Sequence, residues 1–94
     1  MRFTEIKIDS VPMQALLVAG GPGFKIYTVQ GATYWLLVVG RKKHIVEPGT
    51  ANFRLVSKYI NLKYQPIATH DEIKKDFLAL IANQSEMQQP DQSL

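Results

Sequence analysis

Arg41, Lys42, Lys43 and His44 stand consecutively, and Arg54 and Lys58 follow at a four-residue step that places them one helical turn apart on a single face. Guanidinium and ammonium groups neutralise phosphates whatever the base sequence, and Tyr34, Trp35, Tyr59 or Tyr64 would supply rings on which bases stack. The basic segment 41–63 therefore names nucleic acid as one class of partner. Residues 41–64 carry a net charge of +5, whereas residues 65–94 carry −3. A charged turn and a charged helix face also keep a small protein soluble, and the aromatic residues fall in apolar patterns that a core explains equally well.

Catalytic and metal-binding arrangements have less support. With no cysteine in the chain, thiol catalysis, a disulfide scaffold and any Cys-ligated metal are excluded. His70 adjoins Asp71 and Glu72, but successive residues on a helix project about 100° apart, so the triplet does not converge on one ion. His44 has no second ligand at a metal-binding spacing. Ser10, Ser57 and Ser85 lack a base in a recognisable pattern. Gly20-Gly21-Pro22-Gly23 would offer backbone N–H groups to an anion, yet both its flanks read as strands, where a phosphate loop leads into a helix. The sequence thus assigns no catalytic residue, metal or cofactor, and an enzyme ranks below a binding module.

The elements that position these residues follow from hydrophobic period. In residues 2–9, Thr4, Ile6 and Ile8 alternate with Glu5, Lys7 and Asp9, as in an outer strand with one wet face. Ser10-Val11-Pro12 interrupts the pattern, and the apolar run 13–19 reads as a strand buried on both faces. The glycine-rich turn leads to a strand over residues 24–30, with Phe24, Ile26 and Thr28 on one face and Lys25, Tyr27 and Val29 on the other. A tight turn follows at Gly31, then a strand over residues 33–39 that is apolar on both sides. Residues 44–47 offer a short fifth strand, ended by Pro48-Gly49.

From Thr50 the period becomes helical. Thr50 is the expected N-cap of a helix whose apolar face takes in Phe53, Val56, Tyr59, Ile60 and Tyr64. Gln65-Pro66 breaks it. Thr69 and Glu72 have the spacing of a capping box for a second helix reaching about Asn83, with Ile73, Phe77, Leu80 and Ile81 facing the core and Leu78 at the margin.

The fold class is accordingly α+β: an antiparallel meander of four or five strands followed by two C-terminal helices on one face. A single domain is expected over residues 1–84, with a polar, disordered tail over 85–94. Two short helices cover only one side of such a sheet, so the other side needs a cover. Trp35, Leu37 and Val39 are the candidate interface of a homodimer that would supply it, the competing solution being a sheet that curls onto itself. The function expected is a small non-enzymatic interaction module working through protein contacts. The alternative is a nucleic-acid-binding accessory protein, and a small-ligand or enzymatic domain comes third. Charges at Arg2, Glu5 and Lys7 interrupt any secretory core, and no apolar run approaches the roughly 20 residues of a membrane helix, so a cytoplasmic protein is expected.

Overall fold

Turn chemistry and alternation shape the first half of the chain. In the computed structural model, which describes residues 2–86, five strands lie side by side in chain order, all neighbours antiparallel: β1 (Thr4–Ile8), β2 (Val11–Gly21), β3 (Phe24–Val29), β4 (Trp35–Val39) and β5 (Lys42–Val46). Helices α1 (Ala51–Ile60) and α2 (His70–Glu86) follow. This is the meander and pair of C-terminal helices that the periodicity predicts. Serine 85 and residue 86 extend α2 into what reads as tail, and the rest of the expected tail, 87–94, lies outside the described residues.

The second strand differs from its sequence-based expectation in extent and in burial. Ile8 pairs with Val11, leaving Asp9-Ser10 as a two-residue turn with φ of 52° and 69°. Two successive left-handed residues give the twist that joins antiparallel strands tightly. Pro12 then falls opposite Lys7, one place beyond the hydrogen-bonded pair that flanks the turn, where β1 requires no N–H from it. Nor is the strand buried on both faces, because Leu17 and Val18 are exposed.

A bulge at Val18 accounts for this. The register with β3 shifts between Leu17 and Ala19, so Leu17 opposes Tyr27 while Ala19 opposes the neighbouring Ile26. One extra residue inverts the alternation of the strand: Ala15 and Leu17 point to one face, Ala19 and Gly21 to the other.

The two faces bury separate cores. On the first, Phe24, Ile26, Leu37, Val39 and Val46 meet Val56 of α1 and Phe77 and Leu80 of α2, with Trp35, Phe53, Tyr59 and Ile81 packed around them. The Phe77 ring lies stacked on Tyr59 at 4.0 Å and edge-on to Phe24 at 5.1 Å, an arrangement suited to the ring quadrupoles. Trp35 stacks near Phe53, and its indole N–H donates to the Ser57 hydroxyl at 2.9 Å, tying α1 to β4.

Trp35, Leu37 and Val39, the residues expected at a dimer interface, lie on the face that α1 and α2 cover. Leu37 is 0% and Val39 4% exposed beneath the chain's own helices, and a partner reaches neither while the helices are in place.

The second face is covered from within the chain. Ala15, Val29 and Leu36 are buried there beneath Ile6, Ile8, Met13 and Tyr34. The β1–β2 hairpin folds across this face far enough that Lys7, Ile8 and Asp9 border the same cleft as Arg41, Lys43 and Ile45 of the β4–β5 turn and β5. The sheet stays open, with no pairing between β1 and β5, but its curl buries Ala15, Val29 and Leu36 of the face.

The helices end differently from what their motifs predict. Thr50 caps α1 as expected, its hydroxyl accepting from Phe53 N–H at 3.1 Å and donating to the Glu47 carbonyl at 2.7 Å. α1 stops at Ile60, and a short 3-10 turn over Leu62–Tyr64 carries Tyr64 out to solvent. The capping box at Thr69 does not form. Thr69 lies in a 3-10 turn over Ile67–Thr69 that runs straight into α2, and its hydroxyl donates to the Pro66 carbonyl at 2.8 Å. None of the described helices is long and apolar enough to cross a membrane.

Candidate functional site

The hairpin that folds over the second face covers only part of it. Beyond its reach, register places Leu17, Tyr27, Leu36 and Ile45 in one row across four strands, and Lys25, Val38 and Lys43 in the next row along. Neighbouring strands lie about 4.8 Å apart, so the two ammonium groups stand on stems roughly 10 Å apart with Val38 between them. Leu36 is sealed, whereas Leu17 is 51% and Ile45 38% exposed. The result is a groove with an apolar floor and cationic walls.

Two clefts border this surface. One, of about 300 Å³, is bordered by Lys25, Tyr27 and Val38 and by the glycine turns at Gly23 and Gly40. The other, of about 260 Å³, is bordered by Lys7, Ile8, Asp9, Arg41, Lys42, Lys43 and Ile45. Four of its seven lining residues are cations, and Asp9 is its one acid. Lys42 pairs with Val39, so its side chain shares the helix side of β5 with His44. With Lys25 from the first cleft, Lys7, Arg41 and Lys43 leave four cationic residues from three separate stretches of chain bordering this surface.

The basic residues picked out by the sequence divide between two sides of the molecule. Arg41 and Lys43 belong to the groove, whereas Lys42 borders the cleft but pairs with Val39 and so has its side chain on the helix side of β5. Arg54 and Lys58 belong to α1, which packs on the opposite face of the sheet. Lys58 lines a furrow between the helices together with Glu72 and Asp76, so its surroundings are mixed in charge. The aromatic residues expected to stack are also reassigned: Trp35 and Tyr59 serve the helix-side core, and Tyr64 lies at the far end of α1 with Lys63 over its ring at 5.1 Å.

Lys7, Lys25, Tyr27, Leu17 and Ile45 are the groove residues that sequence reasoning did not single out. A signal for some of them was present. Counting outward from the Gly40-Arg41 turn sets Lys43 opposite Val38, and counting outward from Pro22-Gly23 sets Lys25 on the face of Tyr27. Lys7 carried no such signal, since its approach depends on how the hairpin folds.

The groups with potential for acid–base chemistry stand apart from one another. His70 Nε2 donates to the Gln65 carbonyl at 3.1 Å. His44 lies on the helix side of β5 with Nε2 buried and no hydrogen-bond partner among the described residues. Desolvation, followed by the nearby charge of Lys42, lowers its pKa from the usual histidine value. The Ser57 hydroxyl is engaged by Trp35 rather than by a base. Among the described residues, no group of three His, Asp or Glu side chains is placed to hold a metal ion.

Comparison with protein-family models, with curated proteins and with solved structures returned no match.

Proposed function

We propose that this protein is a small non-enzymatic binding module that recognises an anionic partner with the uncovered part of its second sheet face. The observation that carries the reading is that Lys7, Lys25, Arg41 and Lys43 border an apolar floor, with Asp9 as the acid in the cleft lining. Cations gathered from separate stretches of chain repel one another, and an anion seated among them relieves that repulsion while displacing bound counterions. A reducing cytosol suits a module without cysteines.

Retention on immobilised heparin tests this reading at constant net charge. Lys25→Glu/Lys43→Glu alters the groove, and Arg54→Glu/Lys58→Glu makes the same change of charge on the helix side. The groove pair is expected to elute at clearly lower salt than wild type and the helix pair close to it. Equal losses in the two would show that net charge alone is responsible, and the reading would fall.

Self-association, the other partner class expected from the sequence, draws support from different residues than Trp35, Leu37 and Val39. Leu17, Val18 and Ile45 are exposed aliphatic side chains on the strands flanking the groove, and among the described residues β5 is a sheet edge paired on one side, to which a second copy can add. Sedimentation equilibrium on wild type and Ile45→Lys tests it, and a monomer in both cases would remove it.

A further inference from the structure

We infer that the anionic occupant of the groove is a single-stranded nucleic acid, its bases lying on Tyr27 and the flanking aliphatic side chains and its phosphates meeting Lys7, Lys25, Lys43 and Arg41. This deepens the reading above and rests on it.

Two features of the surface, taken together, select this ligand. The first is the alternation of chemistry along it: a row of Leu17, Tyr27 and Ile45 lies directly beside a row bearing Lys25 and Lys43. A single strand has matching parts, flat apolar base faces beside a line of phosphates, and a partly buried aromatic that packs on the second-face core yet keeps part of its surface open, with cations along its margin, engages both. An acidic peptide satisfies the cations but brings no planar group for the Tyr27 ring.

The second feature is shape. The cations border clefts, and the β1–β2 hairpin stands over one side of the groove. A duplex has its bases turned inward and would touch only the rim with its phosphates, leaving the floor unfilled; an unpaired strand reaches the floor. Among the described residues, the second face carries no helix of the kind that enters a duplex groove.

Fluorescence anisotropy with labelled dodecamers provides the test, using oligo-dT, oligo-rU, a duplex of equal length and an acidic peptide of equal charge as probes. Both single strands are expected to bind several-fold more tightly than the duplex or the peptide. Affinity should fall with salt at a log–log slope of about −3, from roughly 0.7 for each of four phosphates neutralised. Tyr27→Ala should weaken single-strand binding by about 5- to 150-fold, the range for loss of one stacked base, and Tyr27→Phe should restore most of it. Lys25→Glu/Lys43→Glu, which changes exposed side chains only, should abolish binding without shifting the thermal melt.

Three results would overturn the inference: no single-strand binding at low salt, equal affinity for duplex or acidic peptide, or Tyr27→Ala binding like wild type while its melt stays intact. If groove-dependent heparin retention persists alongside any of them, the anionic reading survives and the nucleic-acid inference alone is lost.

Discussion

At the scale of single residues, close approach and desolvation govern what this protein tolerates. A Cβ placed on Gly21 would come within 2.6 Å of the Phe24 ring, which is itself held in the helix-side core. That ring is wedged against Phe77 and Tyr59 and has little room to move. Gly21→Ala is expected to destabilise the fold by about 1–3 kcal/mol through overpacking, measured by urea unfolding. A neutral result would mean that the ring shifts without loss.

His44 gives the fold a pH dependence whose sign follows from its burial. Its folded-state pKa lies below the usual value near 6.5, so below that pH the unfolded chain takes up a proton more readily than the native one. Its contribution to stability is complete above the unfolded pKa and is lost as pH falls through 6.5 towards the folded value. Between pH 7 and pH 5, the melting temperature of wild type should fall more than that of His44→Gln. Parallel curves would show that the imidazole does not carry the effect.

Elements are held by contacts that capping motifs describe only in part. Thr50 satisfies an N–H at the start of α1 and Thr69 does not do so for α2, although both were equally plausible caps from sequence. Thr50→Ala should therefore cost about 1 kcal/mol, and Thr69→Ala distinctly less, by thermal melts run side by side. The reason is that Pro66 starts the helical turn three residues early, so Thr69 is already inside it and its hydroxyl turns back to the Pro66 carbonyl. Trp35 anchors α1 to the sheet by stacking on Phe53 and by its bond to Ser57. Trp35→Glu would place a carboxylate in that contact, and its expected outcome is an unfolded chain rather than a folded one with a lost interface. A folded, cooperative Trp35→Glu variant would contradict the position of α1.

At the scale of the whole molecule, the chain solves the problem of a sheet with two apolar faces by using helices on one and its own first hairpin on the other. Ile6 and Ile8 supply the cover over Leu36 and Val29. Ile6→Ala should cost about 1–3 kcal/mol, because a half-buried isoleucine loses less than a sealed one, whereas Glu5→Ala on the outward side should stay within about 0.5 kcal/mol. Equal effects of the two in chemical denaturation would mean that the hairpin does not dock. The part of the face that this cover leaves open is the groove, so site and fold have one origin.

How much of this was legible without coordinates depends on the range of the interactions concerned. Strand and helix identities, the order of elements, the N-cap at Thr50 and the stripe of Ile73, Phe77 and Leu80 are local or periodic properties, and the residue types alone determined them. Which apolar face each element covers is decided by contacts between residues far apart in sequence. The bulge at Val18 inverts the alternation within β2, and no residue type there announces it. It sends Ala19 and Gly21 to the helix side, while the first hairpin goes to cover the other face. That arrangement brings Lys7 to Arg41 and Lys43, and it leaves Arg54 and Lys58 with a different surface. Charge clustering in the sequence marked the middle of the chain as basic; only the packing of hairpin and helices on opposite faces decided which of those charges share a site.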